Sequence, residues 1–476
     1  MISTILIFPI VACLLVMFVK KKAFATLMVN AYAIIHFICT LLMVTGIGNK
    51  SVPYFAVDST NSIFLIVLSL VFLMVAMYNT GYVRHLDVSD KKLCHYSFMI
   101  LVFVLSMTGT LLSTDLGISW ILIEGTTLSS AYLIYFNKTK HSIEAAWKYV
   151  FICSIGIALA FVGIILLNIS SGSVNSMSFV ELYRHASEFD LMWLKLAFVF
   201  MLFGFGAKMG LAPAHFWLPD AHSEAPSPIS ALLSATLLNS AFLVIVRVFK
   251  IMELANCTNY ARLMLLVMGF LSLFVTAVFV YHINNYKRML AYSSIENMGI
   301  LIIGIALGGL GVVASMIHLI GHSLIKASFF LTSGNILEIY GTKKIKSITG
   351  LLKADKLTAW LWIFSLIGII ALPPSLLFIS EFIMIKQMLA DNRIGLCVIF
   401  ILLLTIILYG LSKSVIKMTF SNLNSDKEEQ VMNNVKKLSL SLFIPQILLL
   451  TIAFILGIYM PETINLLINY STIGLN

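Results

Sequence analysis

Hydrophobic residues run through this chain in long blocks, and the polar residues gather in the short gaps between them. An α-helix needs about 20 apolar residues to cross the hydrocarbon of a bilayer, so each block predicts one spanning helix. In the first half the blocks fall at 1–19, 23–46, 60–79, 97–113, 114–136, 146–169 and 191–213. In the second half they fall at 228–249, 261–285, 298–315, 315–335, 358–390 and 393–416, with a last one at 437–460; prolines break the block at 358–390. The pattern predicts an all-α integral membrane protein of about 14 transmembrane helices, with almost nothing left over for a soluble domain.

Composition and charge sharpen this picture. Hydrophobic residues make up 60% of the chain and charged residues 11%, where a soluble domain is nearer half and a quarter. Met1 to Val19 runs into Lys20-Lys21-Lys22 without a small-residue cleavage site, so it is expected to stay as the first helix rather than leave as a signal peptide. If the N-terminus is outside, 21 of the 31 Lys and Arg fall in inward loops and six outside (Lys50, Arg184, Arg247, Lys250, Arg262 and Arg393). The positive-inside rule then places both termini outside a cell inner or plasma membrane. The connection His215 to Ser227 breaks the rule, because it carries acids and no Lys or Arg. The net charge of +10 is spread from loop to loop, which points to orientation in a membrane and not to nucleic acid.

Cys13, Cys39, Cys94, Cys153, Cys257 and Cys397 are scattered without a CxxC pair, so neither an iron–sulfur cluster nor a zinc site is expected. Gly204-Phe205-Gly206 and Gly308-Gly309-Leu310-Gly311 lie within apolar blocks with no strand before them. They read as helix-packing glycines rather than nucleotide loops. No cofactor site is expected in this chain, so any redox chemistry belongs to partners.

Once the loops are accounted for, Lys195, Lys208, Lys326 and Lys386 remain. Lys195 and Lys386 lie near block ends, where they can snorkel to the interface. Lys208 and Lys326 are deeper, and a charge at a helix centre costs about 2.5–3.5 kcal/mol. Glu124 and Glu381 are the matching buried acids, and together these residues predict a charge relay at membrane depth. His318, His322 and Lys326 recur at intervals of four, which stacks them on one face of a helix, where imidazoles can pass protons to or from an ammonium. The competing readings are that these groups only pin helix packing, or that the two histidines bind a metal, although no acid or cysteine ligand lies beside them.

Pro213 follows Lys208 closely, and Pro373-Pro374 precede Glu381. Each is expected to interrupt a helix near the membrane middle, which is tolerated where freed backbone lines a cavity. Two such breaks in corresponding halves predict inverted repeats, at 97–249 and 250–418, between N-terminal helices at 1–96 and an amphipathic loop and last helix at 419–476. Ordinary proline kinking is the alternative.

The stretch "AKMGLAPAHFWLPDAHSEAPSPISALLSATLLNSAFLVIVRV", followed in order by "YKRMLAYSSIENMGILIIGIALG" and "HLIGHSLIKASFFLTSGNI", resembles the signature of the proton-conducting antiporter-like subunits. These are shared by respiratory complex I, Mrp-type Na+/H+ antiporters and group 4 hydrogenases. The resemblance spans nearly the whole chain and is greatest to the hydrogenase-4 component F type. It implies 14 helices, two inverted five-helix repeats and discontinuous seventh and twelfth helices. It also implies roles: Glu124 as the fifth-helix glutamate, Lys208 as the seventh-helix lysine it adjusts, His318, His322 and Lys326 as the second-half relay, and Glu381 as the terminal acid. Asn239 stands where complex I members carry an eighth-helix lysine, so the middle link is expected to be water, Asn239 or a displaced group. The chain extends 16 residues past the last block, which fits a member without the long lateral helix of the largest complex I antiporter subunit.

The function expected is proton translocation along the Glu/Lys/His relay, as a membrane subunit of a multisubunit oxidoreductase. Its type would be hydrogenase-4/formate hydrogenlyase-like or NADH:quinone oxidoreductase-like. Moving one charge against 100 mV costs about 2.3 kcal/mol, and that energy is expected from a redox arm and neighbouring membrane subunits. The alternatives are a subunit of a Na+/H+ antiporter without redox coupling, and an assembly scaffold that moves no ions.

Overall fold

A computed structural model describes residues 1–47, 51–172, 174, 176–422, 431, 434, 435 and 438–472. Lys50, Lys427, Lys436 and Lys437, counted in the charge distribution above, lie outside the described residues. Among the described residues the regular structure is helical, apart from a two-stranded hairpin of Ser51–Val52 and Phe55–Ala56. The first helices are α1 Ile2–Val19, α2 Lys22–Val44, α3 Ser59–His85, α4 Asp90–Leu112, α5 Leu116–Ile134 and α6 Lys140–Ser170. There follow α7 Phe179–His185, α8 Leu191–Met209, α9 Trp217–Glu224, α10 Ser227–Leu232, α11 Leu238–Leu254 and α12 Thr258–Phe279. The second half contributes α13 Tyr286–Leu307, α14 Leu310–Tyr340, α15 Leu351–Ala354, α16 Lys356–Ile369, α17 Leu376–Ala390 and α18 Ile394–Phe420. Helices Ile444–Ile458 and Glu462–Thr472 close the described chain.

Among the described residues twelve helices are long and apolar enough to cross a membrane. The predicted blocks at 114–136 and 358–390 are outside that number: α5 is long enough at 19 residues but carries Glu124 and five Ser and Thr, and α16 and α17 have only 14 and 15 residues. Several helix starts are fixed by side-chain caps. Asp58 and Asn61 form a reciprocal capping box on α3, and Asp115, Asp190 and Asp355 accept from the first backbone N–H groups of α5, α8 and α16. Such caps satisfy donors that have no partner within the helix.

Capping also corrects one expected boundary. Asn285 accepts from the backbone N–H of Lys287 and Arg288, so α13 begins at Tyr286 and not at 298. It ends at Leu307, and α14 begins at Leu310 rather than 315. Between them Gly308 and Gly309 hold φ of 74° and 48°, a backbone region that glycine enters without a steric cost. These two glycines therefore make a turn and are not helix-packing residues. Gly311 and Gly204 do pack: a Cβ on Gly204 would sit 2.5 Å from the Gly156 carbonyl oxygen, and one on Gly311 would sit 2.7 Å from that of Gly304.

Two cations assigned to loops lie inside the protein. Arg247 is 5% exposed, pairs with Asp58 at 2.8 Å and donates to the Ser113 carbonyl, tying α11 to the entry of α3 and the exit of α4. Lys287 is 1% exposed and donates to the Ala225 carbonyl at 3.0 Å. The acidic connection 215–227 folds as α9, whose acids serve neighbouring cations. Asp220 pairs with Lys148 at 3.1 Å and with Arg288, and Glu224 pairs with Lys343 at 3.1 Å.

Both expected helix breaks are present. The chain leaves helix after Met209 and returns at Trp217, and it leaves again after Ile369 and returns at Leu376. Side chains satisfy backbone groups at these interruptions, as an apolar surrounding requires. The Ala212 N–H donates to Ser272 Oγ at 2.9 Å, the Trp217 indole to the Ala207 carbonyl at 2.8 Å, and Ser375 Oγ to the Gly368 carbonyl at 2.9 Å. Around these breaks the centre of the bundle is α10–α11, α13 and α14, whose most apolar stretches are 100%, 94% and 83% buried, against 33% for α1 and α18. The helix that carries His318, His322 and Lys326 is thus among the most enclosed.

Replacing Gly204 by leucine is expected to force α6 and α8 apart and to cost about 1–3 kcal/mol or more. The thermal midpoint of the purified, assembled protein falls if this is right, and Gly204→Leu with an unchanged midpoint contradicts the packing account.

Candidate functional site

Lys208 is the last but one residue of α8, just before the break, and it is completely buried. Its Nζ donates to Thr127 Oγ1 at 2.8 Å and to the Tyr149 hydroxyl at 2.6 Å, and it lies 4.7 Å from the Tyr149 ring centre. Thr127 Oγ1 in turn donates to Glu124 Oε2 at 3.1 Å, and Ser154 donates to Glu124 Oε1 at 3.0 Å. Glu124 and Lys208 therefore communicate through a hydroxyl, with no direct ion pair between them among the described residues. Hydrogen bonds to a charged group contribute about 1.5–3 kcal/mol each, so two of them match the roughly 2.5–3.5 kcal/mol cost of placing a lysine at a helix centre. Hydroxyls and an aromatic face replace the missing counter-ion.

A second group gathers around α14, where His318, His322 and Lys326 are all completely buried. They share one face, as their spacing predicts, but each bonds to a different neighbour rather than to the next. Lys326 Nζ donates to the Leu290 carbonyl at 2.7 Å and to Ser293 Oγ, both on α13. His322 Nε2 meets the Ser234 carbonyl at 3.4 Å, in the π-helical turn Leu233–Leu237 between α10 and α11. His318 lies between Asn297 Oδ1 on α13 at 3.0 Å and Ser380 Oγ on α17 at 2.9 Å. Ser380 precedes Glu381, so the chain of contacts passes from α13 through α14 to the broken helix.

Asn239 joins the two halves structurally. It is 3% exposed, its amide donates to Ser323 Oγ on α14 and to the Ala235 carbonyl, both at 2.8 Å, and its Oδ1 has no protein partner. Ser323 neighbours His322, which places Asn239 beside the second group. No side-chain hydrogen bond links it to the Lys208 group among the described residues.

Pro213 lies in the first break, and Pro373-Pro374 lie in the second, where Glu381 follows them into α17. Lys195 stands 5.7 Å from the Tyr260 ring centre, and Lys386 is exposed. Among the described residues no three His, Cys, Asp or Glu side chains come together as metal ligands.

Several contributors were not singled out by sequence. Thr127, Tyr149, Ser293, Asn297 and Ser380 are neutral polar residues, which hydropathy does not distinguish from ordinary helix-packing positions. Glu296 is different. It is 5% exposed, its Oε2 has no partner, and it lines a cleft of about 200 Å³ together with Glu381. A helix boundary drawn at 298 left it in a loop, so this buried acid was overlooked, whereas Glu124 and Glu381, expected to be buried, are half-buried. The Asn285 cap was the signal that would have found it.

Residues 113–407 match the family described as NADH:quinone oxidoreductase/Mrp antiporter, transmembrane. The chain is 31% identical over 475 residues to a hydrogenase-4 component F homolog of Methylacidiphilum infernorum, covering 97% of each. Its fold is similar to a chain of the archaeal membrane-bound sulfane sulfur reductase, a respiratory membrane complex, with TM-score 0.84 and 20% identity, covering 100% of this chain and 97% of that one. It is similar also to a chain of the Mrp complex of Dietzia sp., with TM-score 0.85 and 18% identity over 100% and 97% of the two chains.

Thr127→Val keeps the shape of the side chain and removes the hydroxyl between Glu124 and Lys208. A loss of about 1–3 kcal/mol in stability is expected, read as a lower thermal midpoint that Thr127→Ser restores. Equal midpoints for Thr127→Val and the unaltered protein contradict the bridging role.

Proposed function

The chain belongs to the NADH:quinone oxidoreductase/Mrp antiporter transmembrane family, and on that premise we propose that it translocates protons as a membrane subunit of a larger oxidoreductase. The parent complex is of hydrogenase-4/formate hydrogenlyase or NADH:quinone oxidoreductase type. The observation that carries this reading is the pair of completely buried lysines, Lys208 and Lys326, each held by hydroxyl or carbonyl oxygens in place of a carboxylate.

The proposed route begins at Glu124, reaches Lys208 through the Thr127 hydroxyl, and continues past Asn239 to His322 and Lys326. From there it passes by way of His318 and Ser380 to Glu381. Lysine suits a switched site because its proton affinity responds readily to burial and to nearby charge. When Glu124 is ionised the ammonium is favoured electrostatically; a shift of Glu124 or of its Thr127 bridge alters that balance and releases the proton. Water admitted at the break around Pro213 is proposed to span the stretch from Lys208 to Asn239. The free Oδ1 of Asn239 then serves as a hydrogen-bond acceptor for that water, in the place of a lysine.

The proposal assigns redox chemistry and its energy to a partner arm, transmitted through neighbouring membrane subunits. It counts α5 and the α16–α17 pair as crossings, which gives about 14 in all, and treats 97–249 and 250–418 as inverted repeats. One interrupted helix in each half supports this, with Lys208 before the first break and Glu381 after the second. The distribution of Lys and Arg supports both termini outside the cell inner or plasma membrane. In a Na+/H+ antiporter without redox coupling the same residues would work on ion gradients alone.

Lys208→Ala in the assembled complex, reconstituted in vesicles with its electron donor, is expected to abolish proton uptake while leaving assembly intact. Wild-type uptake by this variant removes Lys208 from the route, and equal uptake without any electron donor moves the protein to the antiporter reading.

A further inference from the structure

We propose that Glu296 carries protons between Lys326 and Glu381, and that the two carboxylates form one exchange station around their shared cleft. The inference rests on the proton-translocating reading and adds a residue to it.

Glu296 lies in the middle of α13, one of the most deeply buried helices of the bundle. Its Oε2 is enclosed and has no hydrogen-bond partner. An ionised carboxylate in such a place costs several kcal/mol unless it is paired, so a purely structural role would call for a full set of hydrogen bonds, and this side chain lacks them. It lines a cleft of about 200 Å³ that opens at the protein surface beside the exposed Leu372, Ile401 and Thr405, and whose wall also includes Glu381 and the interrupted backbone at Ile370 to Leu372. Waters at roughly 30 Å³ each fit there in a short cluster, with carboxylate and hydroxyl partners to hold them.

The charged and titratable groups around Glu296 come from three helices. Lys326 of α14 interacts with it electrostatically, and so does Glu381 of α17. Lys326 is anchored on Ser293, one turn before Glu296 on α13. His318 reaches the same region through Asn297, the residue next to Glu296, and contacts Ser380, the residue next to Glu381. Glu296 thus stands between the buried ammonium and the terminal acid. Among the described residues the sequence Asn297–His318–Ser380 has no hydrogen bond to Lys326, and Glu296 supplies that link.

Two carboxylates facing one cleft do not ionise independently, because each negative charge disfavours the other and the pair holds one proton in common. The step is then balanced. With the shared proton on Glu296, that acid passes it through the cleft water to the Glu381 carboxylate and takes the Lys326 ammonium proton in its place, which leaves a neutral amine. Glu381 then releases its proton outward and the pair again holds one. No electron moves.

The test compares Glu296→Gln, Glu296→Asp, Glu381→Gln and Lys208→Ala in the assembled complex, with proton uptake followed by a pH-sensitive dye sealed in vesicles. Glu296→Gln is expected to lower uptake about 100-fold, the scale of losing one positioned proton-transfer group, and Glu296→Asp to restore most of it. In infrared titration of the purified complex, a carboxylic C=O band that shifts in D2O is expected in the unaltered protein and absent in Glu296→Gln. Normal uptake in Glu296→Gln alongside defective Lys208→Ala and Glu381→Gln overturns this inference and leaves the wider reading standing. Normal uptake in all of the variants overturns the wider reading itself. If Glu296→Gln does not assemble, the infrared band decides: a titrating carboxyl that moves in Glu296→Asp supports the inference, and a band unchanged by that substitution overturns it.

Discussion

The structure depends on one constraint: an ammonium group enclosed by apolar helices has to be kept without a carboxylate touching it. Lys208 meets it with the hydroxyls of Thr127 and Tyr149 and the face of the Tyr149 ring. Lys326 meets it with the Leu290 carbonyl and Ser293. A direct ion pair would bind each charge tightly and fix its protonation, since a close buried pair is strongly destabilised when either partner is lost. A neutral oxygen between acid and base holds the lysine in place and leaves the charge on it adjustable. That distinction separates a site able to exchange protons from a bridge that only fastens helices.

The fold supplies what this arrangement needs. Backbone polar groups in a membrane interior must be satisfied locally, and at both helix interruptions neighbouring side chains reach the exposed backbone. The break after Met209 is closed by Ser272 and Trp217, and the break after Ile369 by Ser375. The π-helical turn at Leu233–Leu237 is a third irregularity, and its Ser234 carbonyl faces His322. Irregular backbone and ionisable side chains occur together in this molecule, and both lie in or beside its most buried helices. Elsewhere some charges are paired at the surface, as with Asp220 between Lys148 and Arg288.

Much of this was legible in the sequence because membrane insertion writes itself into long apolar blocks. The blocks located nearly all the helices, both proline breaks and the buried residues Lys208, His318, His322 and Lys326, whereas Glu124 and Glu381, expected to be buried, are half-buried. What they did not show came from shorter-range physics. Hydropathy averages over many residues, so it missed the Asn285 cap that starts α13 at Tyr286, and with it Lys287 and Glu296 were taken for loop residues. It misread the turn at Gly308-Gly309 for the same reason. Arg247 looked like an outside loop cation, because nothing in its own segment reveals Asp58, far away in the chain. Thr127 and Tyr149 are ordinary in sequence and acquire meaning only when α5, α6 and α8 are brought together around Lys208.

Conduction by this route requires that these groups be joined by water into one line across the middle of the membrane. A cryo-electron-microscopy map of the assembled complex, at a resolution that shows ordered water, tests it. Density is expected for waters between Lys208 and Asn239 and in the cleft between Glu296 and Glu381. Closely packed apolar side chains without water in both places would contradict it.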